Sequence, residues 1–400
     1  MTTYTFKSGL SAEQHEAFLA EQSHYNVIQT AAWPKVKTGW QSGFAGLFAG
    51  EKQVGGTLYL IRKILPGFSV MYLPRGFLCD WSDQEQVAAF GEGLKKLAKE
   101  KKTYLVRIDP EIVISRLTGG KTEPDEKGLA MMENLKKAGF LHKGFATDFE
   151  SYTQPRFNAE YFLTDSDGRK KTDEAILTGF DKKLKKFIGR YTAERGITFS
   201  ARHGKEAAAL FYKISEHTEQ RQHILLRDEA YFVRMAEAFG ENCTFFFAEM
   251  DLEKFCDFCK SKQDDPRAQE DLALAEQLKE QGPTVQLSAL LMLHSADTAY
   301  LMYSGFDDTK FSRFRTTNQI RYEAMRYYRD LGIKIFSFLG IHGDLSGSLS
   351  EFKMKFNPTV TEFAGEFELP ASPLRYKLMD KAFPAMKKTY LHLMTRLKKK

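Results

Sequence analysis

The chain has 400 residues, more than one compact core ordinarily takes, and its 42% hydrophobic and 13% aromatic content, with 33 Phe and 17 Tyr, describes a globular protein of two or three aromatic-rich domains rather than a disordered one. Its net charge is a modest +6, with the basic excess gathered unevenly in two runs. The opening MTTYTFKSGLSAEQHEAFLAEQ lacks an apolar signal core, and runs such as LSALLML are too short to cross a bilayer, so a cytoplasmic protein is expected.

In chain order, a first helix leads into QTAAWPKVKTGW (29–40), which sets Trp33 and Trp40 around Lys35 and Lys37. Residues 44–72 read as strands joined by turns, 83–101 as a helix, and TYLVRIDP as a strand. That strand ends with Arg107 and Asp109 before Pro110, and strand ends are where α/β folds place ligands, although an ordinary turn aspartate fits equally well. Lys182, Lys183, Lys185, Lys186 and Arg190 form a basic run, and EQRQHILLRDEAYFVRM follows. If Asp228 starts a helix, Arg227 and Tyr231 share one face and can grip an anion and stack a ring.

TFFFAEM, LSALLML and TAYLMYSGF are the next strands, 312–330 is helical, and IKIFSFLG closes the unit. The offset that carries Tyr72 onto Tyr303 also carries Tyr104 onto Ile335, so the unit repeats the first half as a duplicated α/β domain with a cleft between copies. The second copy carries an insert over about 249–286. Leu252, Phe255 and Cys259 recur at helical spacing, Asp265-Pro266 supplies an N-cap and a first-turn proline, and Leu274 with Leu278 restart the stripe, predicting a helical hairpin. Four cysteines (Cys79, Cys243, Cys256, Cys259) do not make a disulfide framework, and Cys256-x2-Cys259 has no partner ligands, so the pair reads as core and no metal is expected.

The loop GDLSGSLS precedes SEFKMKF, where Lys353 and Lys355 alternate with Phe352, Met354 and Phe356. A helix with core aromatics and solvated lysines would look the same as a ligand-binding segment. The chain closes on Lys387, Lys388, Arg396, Lys398, Lys399 and Lys400, a run able to meet phosphate on nucleic acid or anionic lipid.

Taken in order, WPKVKTGW, YLVRIDP, QPRF (154–157), LRDEAYF, YLMYSG and FKMKFNPTVTEFAGEF resemble the Fem-type (FemABX) aminoacyl-tRNA-dependent transferases, which build the interpeptide bridge of peptidoglycan. The C-terminal SPLRYKLMDKAF with its basic tail is similar to the streptococcal MurM and MurN branch. The resemblance implies an α/β (α+β) fold of two acetyltransferase-like (GNAT-like) subdomains, at 1–154 and at 155–248 with 287–385. A short helical hairpin at 249–286 and a basic tail at 386–400 complete the expected division. It implies a transferase that adds Ala, Ser or Gly to the stem-peptide lysine, or to the first bridge residue, of lipid II or of the soluble UDP-MurNAc-pentapeptide. Aminoacyl-tRNA would be the co-substrate and no cofactor is expected. By the same resemblance Lys37, Tyr104, Arg227, Tyr231 and Tyr303 line the precursor site, with Lys37 and Arg227 on its phosphates, while Phe352 and Lys353 serve the acyl-tRNA end. Asp109 is the candidate general base, with the tRNA 2′-hydroxyl as its alternative. The basic tail would hold the enzyme at the inner face of the plasma membrane. Two rivals are a CoA-dependent N-acyltransferase of the same fold and a non-catalytic tRNA- or membrane-binding protein. The first would need a glycine-rich strand-to-helix turn, and the Gly91-Glu92-Gly93 sequence lies inside a predicted helix.

Overall fold

A computed structural model describes residues 3–149, 153–189, 192–222, 227–262 and 264–380; Arg190 and the basic run at 387–400 lie outside the described residues. Among the described residues sixteen strands form two sheets. The first is built from β1 (Tyr4–Leu10), β2 (Gln41–Ala49), β3 (Lys52–Leu65), β4 (Phe68–Leu73) and β5 (Leu105–Ile108). The chain then gives the hairpin β6 (Val113–Thr118) and β7 (Lys121–Pro124), β8 (Leu141–His142) and β9 (Phe157–Phe162). The second half supplies β10 (Ile197–Arg202), β11 (Cys243–Asp251), β12 (Thr284–His294), β13 (Thr298–Phe306), β14 (Ile335–Gly340), β15 (Thr359–Phe363) and β16 (Phe367–Pro370).

Sheet order shows the repeat directly: β1-β2-β3-β4-β5 in one sheet is matched by β10-β11-β12-β13-β14 in the other. In each, antiparallel strands precede a helical crossover to a parallel neighbour, β4 to β5 through Gln84–Glu100 and β13 to β14 through Thr316–Asp330. Tyr72 and Tyr303 therefore sit on corresponding strands, and both subdomains share one mixed α/β arrangement. The expected division at 154/155 is crossed in both directions. The hairpin β6-β7 joins the second sheet through β15, and β16 joins the first between β5 and β8. Both exchanges let short strands complete backbone pairing that their own halves leave open.

The helix Gln84–Glu100 forms because Asp83 caps it, accepting from the Glu85 and Gln86 amides, and because Val87, Phe90, Leu94 and Leu97 fall on one face. Gly93 is required there, since a Cβ would lie 2.1 Å from Phe6 Cγ, so the Gly-Glu-Gly sequence serves helix-to-sheet contact and not a phosphate loop. The expected insert is two helices, Leu252–Lys260 capped by Asp251 and Pro266–Lys279 capped by Asp265. They bury Phe255, Cys256, Cys259 and Leu278, and Phe255 meets the rings of Phe311 and Phe314 edge-on.

A third core joins the subdomains. Val27, Trp33, Val36, Leu58 and Leu60 of the first pack with Phe211, Phe232, Phe245 and Leu291 of the second. Burial at this scale makes the interface a continuous interior, and the cleft it borders has fixed walls. An ionic clasp lies beside it: His24 Nδ1 is 2.9 Å from Asp297 and its Nε2 3.4 Å from Glu111, which also pairs with Arg75. Between these carboxylates the imidazole is pushed up to about 10 although burial opposes the charge.

Candidate active site

The short helix Trp33–Val36, with Pro34 in its first turn, ends at Lys37 and packs against the helix Glu229–Phe239, which Asp228 caps as the sequence suggested. Between them opens a cleft of about 500 Å³, walled by Trp33, Lys37, Trp40, Arg62, Tyr72, Gln154, Arg227 and Tyr231. Its cations lie on aromatic faces: Lys37 Nζ is 4.7 Å from the Trp33 ring, Arg62 is 5.3 Å from that of Trp40, and Arg227 is 5.3 Å from that of Tyr231. No carboxylate pairs with any of the three among the described residues. Burial, then Arg227 and Arg62, lowers the Lys37 ammonium to about 8. Of the three, Lys37 is the one held at a cost, and an anionic ligand bridging it to the exposed Arg62 and Arg227 would remove that cost. Lys35 points away, into a separate hollow with Glu13 and His294. Tyr303 does not wall the cleft; it stands behind Tyr231, edge-on to that ring at 6.3 Å and to Phe232 at 5.3 Å. Burial and the Tyr303 neighbour push the Tyr231 phenol well up, so it stays a neutral donor.

Asp109 lies beneath this cleft, 3% exposed. Tyr72 Oη donates to it at 2.6 Å, the Gln154 amide at 2.6 Å and the Arg75 amide at 2.7 Å. Arg75 holds a left-handed φ of 59° to make that contact, a conformation a non-glycine residue keeps only under constraint. Burial raises the Asp109 carboxyl despite these donors. With its oxygens engaged, Asp109 reaches the cleft through the Tyr72 hydroxyl and not by direct exposure.

Tyr104 is not in this cleft. It lines a more apolar hollow with Ile64, Val70, Arg107, Glu368, Tyr376 and Met379. A third hollow between them shares Arg107 and Lys143 with the Tyr104 hollow, and Thr153 and Gln154 with the cationic cleft, so the three form one track along the first subdomain.

Phe352 and Lys353 stand elsewhere, on the helix Gly347–Met354 beside the end of β14. β13 and β14 pair only as far as Tyr300 and Ser337. Beyond that point Lys353 Nζ donates to the carbonyls of Phe338 and Gly340, each at 2.6 Å. Lys353 is 7% exposed, whereas Lys355 is exposed and engages the fold through its backbone, its N–H donating to the Phe352 carbonyl and its carbonyl accepting from the Asp181 amide. Burial, then Arg321, lowers Lys353 to about 7. Arg321 is itself buried, 4.8 Å from the Phe352 ring, and its Nε has no hydrogen-bond partner. Burial lowers it to about 10. Arg321 escaped the sequence reading, yet a signal exists: with Met325 and Tyr328 it occupies an i, i+4, i+7 stripe that is otherwise core. Arg62 and Tyr72 were missed because nothing local distinguishes them from ordinary strand residues.

Comparisons with known proteins agree with this architecture. The chain is 25% identical over 440 residues to the lipid II:glycine glycyltransferase of Staphylococcus aureus (strain COL), covering 98% of this chain and all of the relative. It is 25% identical over 436 residues to the same-named enzyme of Staphylococcus epidermidis (strain ATCC 12228 / FDA PCI 1200), with the same coverage. A crystal structure of FemX superposes with a TM-score of 0.77 at 23% identity, covering 94% of this chain and 99% of FemX, and shares the fold. The FemAB family model matches residues 10–277 and 259–382, nearly the whole described chain, and the protein belongs to the FemAB family.

Proposed function

We propose that this aminoacyltransferase moves an amino acid, Ala, Ser or Gly, from aminoacyl-tRNA to the peptide of lipid II, acting on the stem-peptide lysine or on the first bridge residue. The observation that carries the reading is the cluster of Lys37, Arg62 and Arg227, three cations without carboxylate partners among the described residues, on aromatic faces in a cleft between the subdomains. A diphosphate fits that chemistry, and guanidinium forks suit its paired oxygens. The relatives' name supplies lipid II as the acceptor class.

In the reaction the acceptor amine attacks the ester carbonyl at the tRNA 3′ end, forms a tetrahedral oxyanion, and expels the ribose hydroxyl, which gains the proton the amine loses. Lys353 and Arg321 are the fixed cations for the terminal phosphate or the developing oxyanion, and Phe352 offers a ring to the unpaired terminal base. Asp109 acts as a positioning residue that orients Tyr72 toward the acceptor. Tyr104 contacts the precursor further along the track. No cofactor is required. The basic tail places the enzyme at the inner face of the plasma membrane, and among the described residues no helix is long and apolar enough to cross one.

The test offers purified protein a panel of charged tRNAs together with lipid II or the nucleotide-linked precursor, and sequences the added residue. Transfer from charged tRNA supports the reading. Transfer only from an acyl-CoA would overturn it in favour of the N-acyltransferase rival.

A further inference from the structure

The segment 373–380 is helical and packs one side on the first sheet: Met379 and Tyr376 lie against Val70, Tyr104 and Leu105. Its opposite side carries Leu374, 82% exposed, and Leu378, 58% exposed, one turn apart. Arg375 and Lys377, both exposed, flank that pair on either side. Beside it, Ile64, Leu65 and Phe68 of the β3-β4 hairpin pack on the same cluster, with Pro66 and Gly67 exposed at the tip and Arg62 and Lys63 exposed at its base. Two elements distant in sequence thus pack on one cluster at the edge of the first sheet, each carrying exposed cations beside its apolar residues.

We propose that this face, the outward side of 373–380 with the tip of the β3-β4 hairpin, is the surface that docks on an anionic lipid bilayer. It supplements the tail assigned above and rests on the reading of a lipid-linked acceptor only for its purpose. Leucines ringed by Arg and Lys suit the boundary between acyl chains and anionic headgroups. Continuity with the cationic cleft adds a second observation. Arg62 walls that cleft, and at about 3.3 Å per strand residue the tip at Pro66 lies only about 13 Å further along β3. A bilayer on this face puts headgroup phosphates at the level of Arg62, so a diphosphate still attached to its lipid reaches Lys37 and Arg227 without leaving the membrane.

The experiment is flotation of the full-length protein with vesicles of phosphatidylcholine, alone or mixed with phosphatidylglycerol. The double variant Leu374→Ser/Leu378→Ser should bind the mixed vesicles about ten- to a hundredfold more weakly, and the deficit should persist in high salt. Arg375→Gln/Lys377→Gln should weaken binding in low salt alone. Leu331→Ser, at a leucine 57% exposed away from this face, should bind like wild type. Binding by the leucine variant equal to wild type overturns the proposal, as does an equal loss in Leu331→Ser. So does a loss of RNA binding with vesicle binding intact, which would assign the face to tRNA. Failure of aminoacyl transfer to every precursor sinks the functional reading but leaves the vesicle measurement decisive for this surface.

Discussion

A drop in the Lys353 ammonium from an ordinary 10.5 to about 7 is worth on the order of 5 kcal/mol, at about 1.4 kcal/mol for each tenfold in proton affinity. That is the penalty for keeping the charge buried beside Arg321, and an anion in contact with Nζ removes much of it by restoring the protonated form. The sign is fixed by the direction. A lysine lowered in the folded state binds an anion best below about pH 7 and progressively less well as pH rises through it. The affinity of the wild-type enzyme for an RNA hairpin ending in the acceptor CCA should therefore be flat below about pH 7 and weaken by up to about tenfold per pH unit above it. Lys353→Met should abolish the break near pH 7 and reduce transfer by about 10²- to 10³-fold, the usual consequence of losing one preorganised electrostatic donor. Lys355→Met should change neither. Isothermal titration in buffers of different ionisation heat would also detect the proton taken up on binding. An affinity for RNA that is level from pH 6 to 9 in wild type, or a break that survives Lys353→Met, would refute the assignment.

The cationic cleft leads to a second expectation: Arg227→Ala should raise the KM for the precursor at least about tenfold and leave that for aminoacyl-tRNA near wild type, in steady-state assays varying each substrate. Asp109→Asn replaces one of two accepting oxygens by an NH2 that must face at least one of the three donors, so it should cost about 1–3 kcal/mol of stability in denaturant titration and also lower kcat. Tyr72→Phe should lower kcat comparably with a much smaller loss of stability; wild-type turnover in Tyr72→Phe would return the proton chemistry to Asp109 itself. His24, between Asp297 and Glu111, should titrate far above 6.5 by NMR, and because its folded value is raised, the clasp it supports is complete below about pH 6.5 and lost through about 10. An ordinary imidazole midpoint near 6.5 would remove the clasp from the account.

The repeat was legible because strand order survives in both halves, and the helix carrying Tyr231 was legible because Asp228 caps it, although Arg227 proves to lie just before that cap and reaches the Tyr231 ring from outside the helix. The exchanges of β16 and the β6-β7 hairpin were not, since strands of four to six residues take whichever open edge the tertiary fold brings near. Asp109 was rightly placed at a strand end, but sequence could not reveal that three donors enclose it. Nor could it reveal that no carboxylate pairs with Lys37 or Arg62 among the described residues, or that Arg321 lies buried against Phe352, because pairing and burial are properties of the whole neighbourhood. Tyr104 and Lys37 were expected at one site; the structure sets them at two ends of a track joined through Arg107 and Gln154.

The division of labour between a precursor cleft at Lys37, Arg62 and Arg227 and an acyl-tRNA site at Phe352, Lys353 and Arg321 is tested most directly by equilibrium binding of two ligands to two variants. The ligands are the nucleotide-linked precursor and an RNA hairpin ending in CCA, and the variants are Arg227→Ala and Lys353→Met. A crossed pattern is expected, in which Arg227→Ala loses the precursor and keeps the RNA while Lys353→Met loses the RNA and keeps the precursor. If both variants lose the same ligand, or each loses both, the two sites are not separate and the account is contradicted.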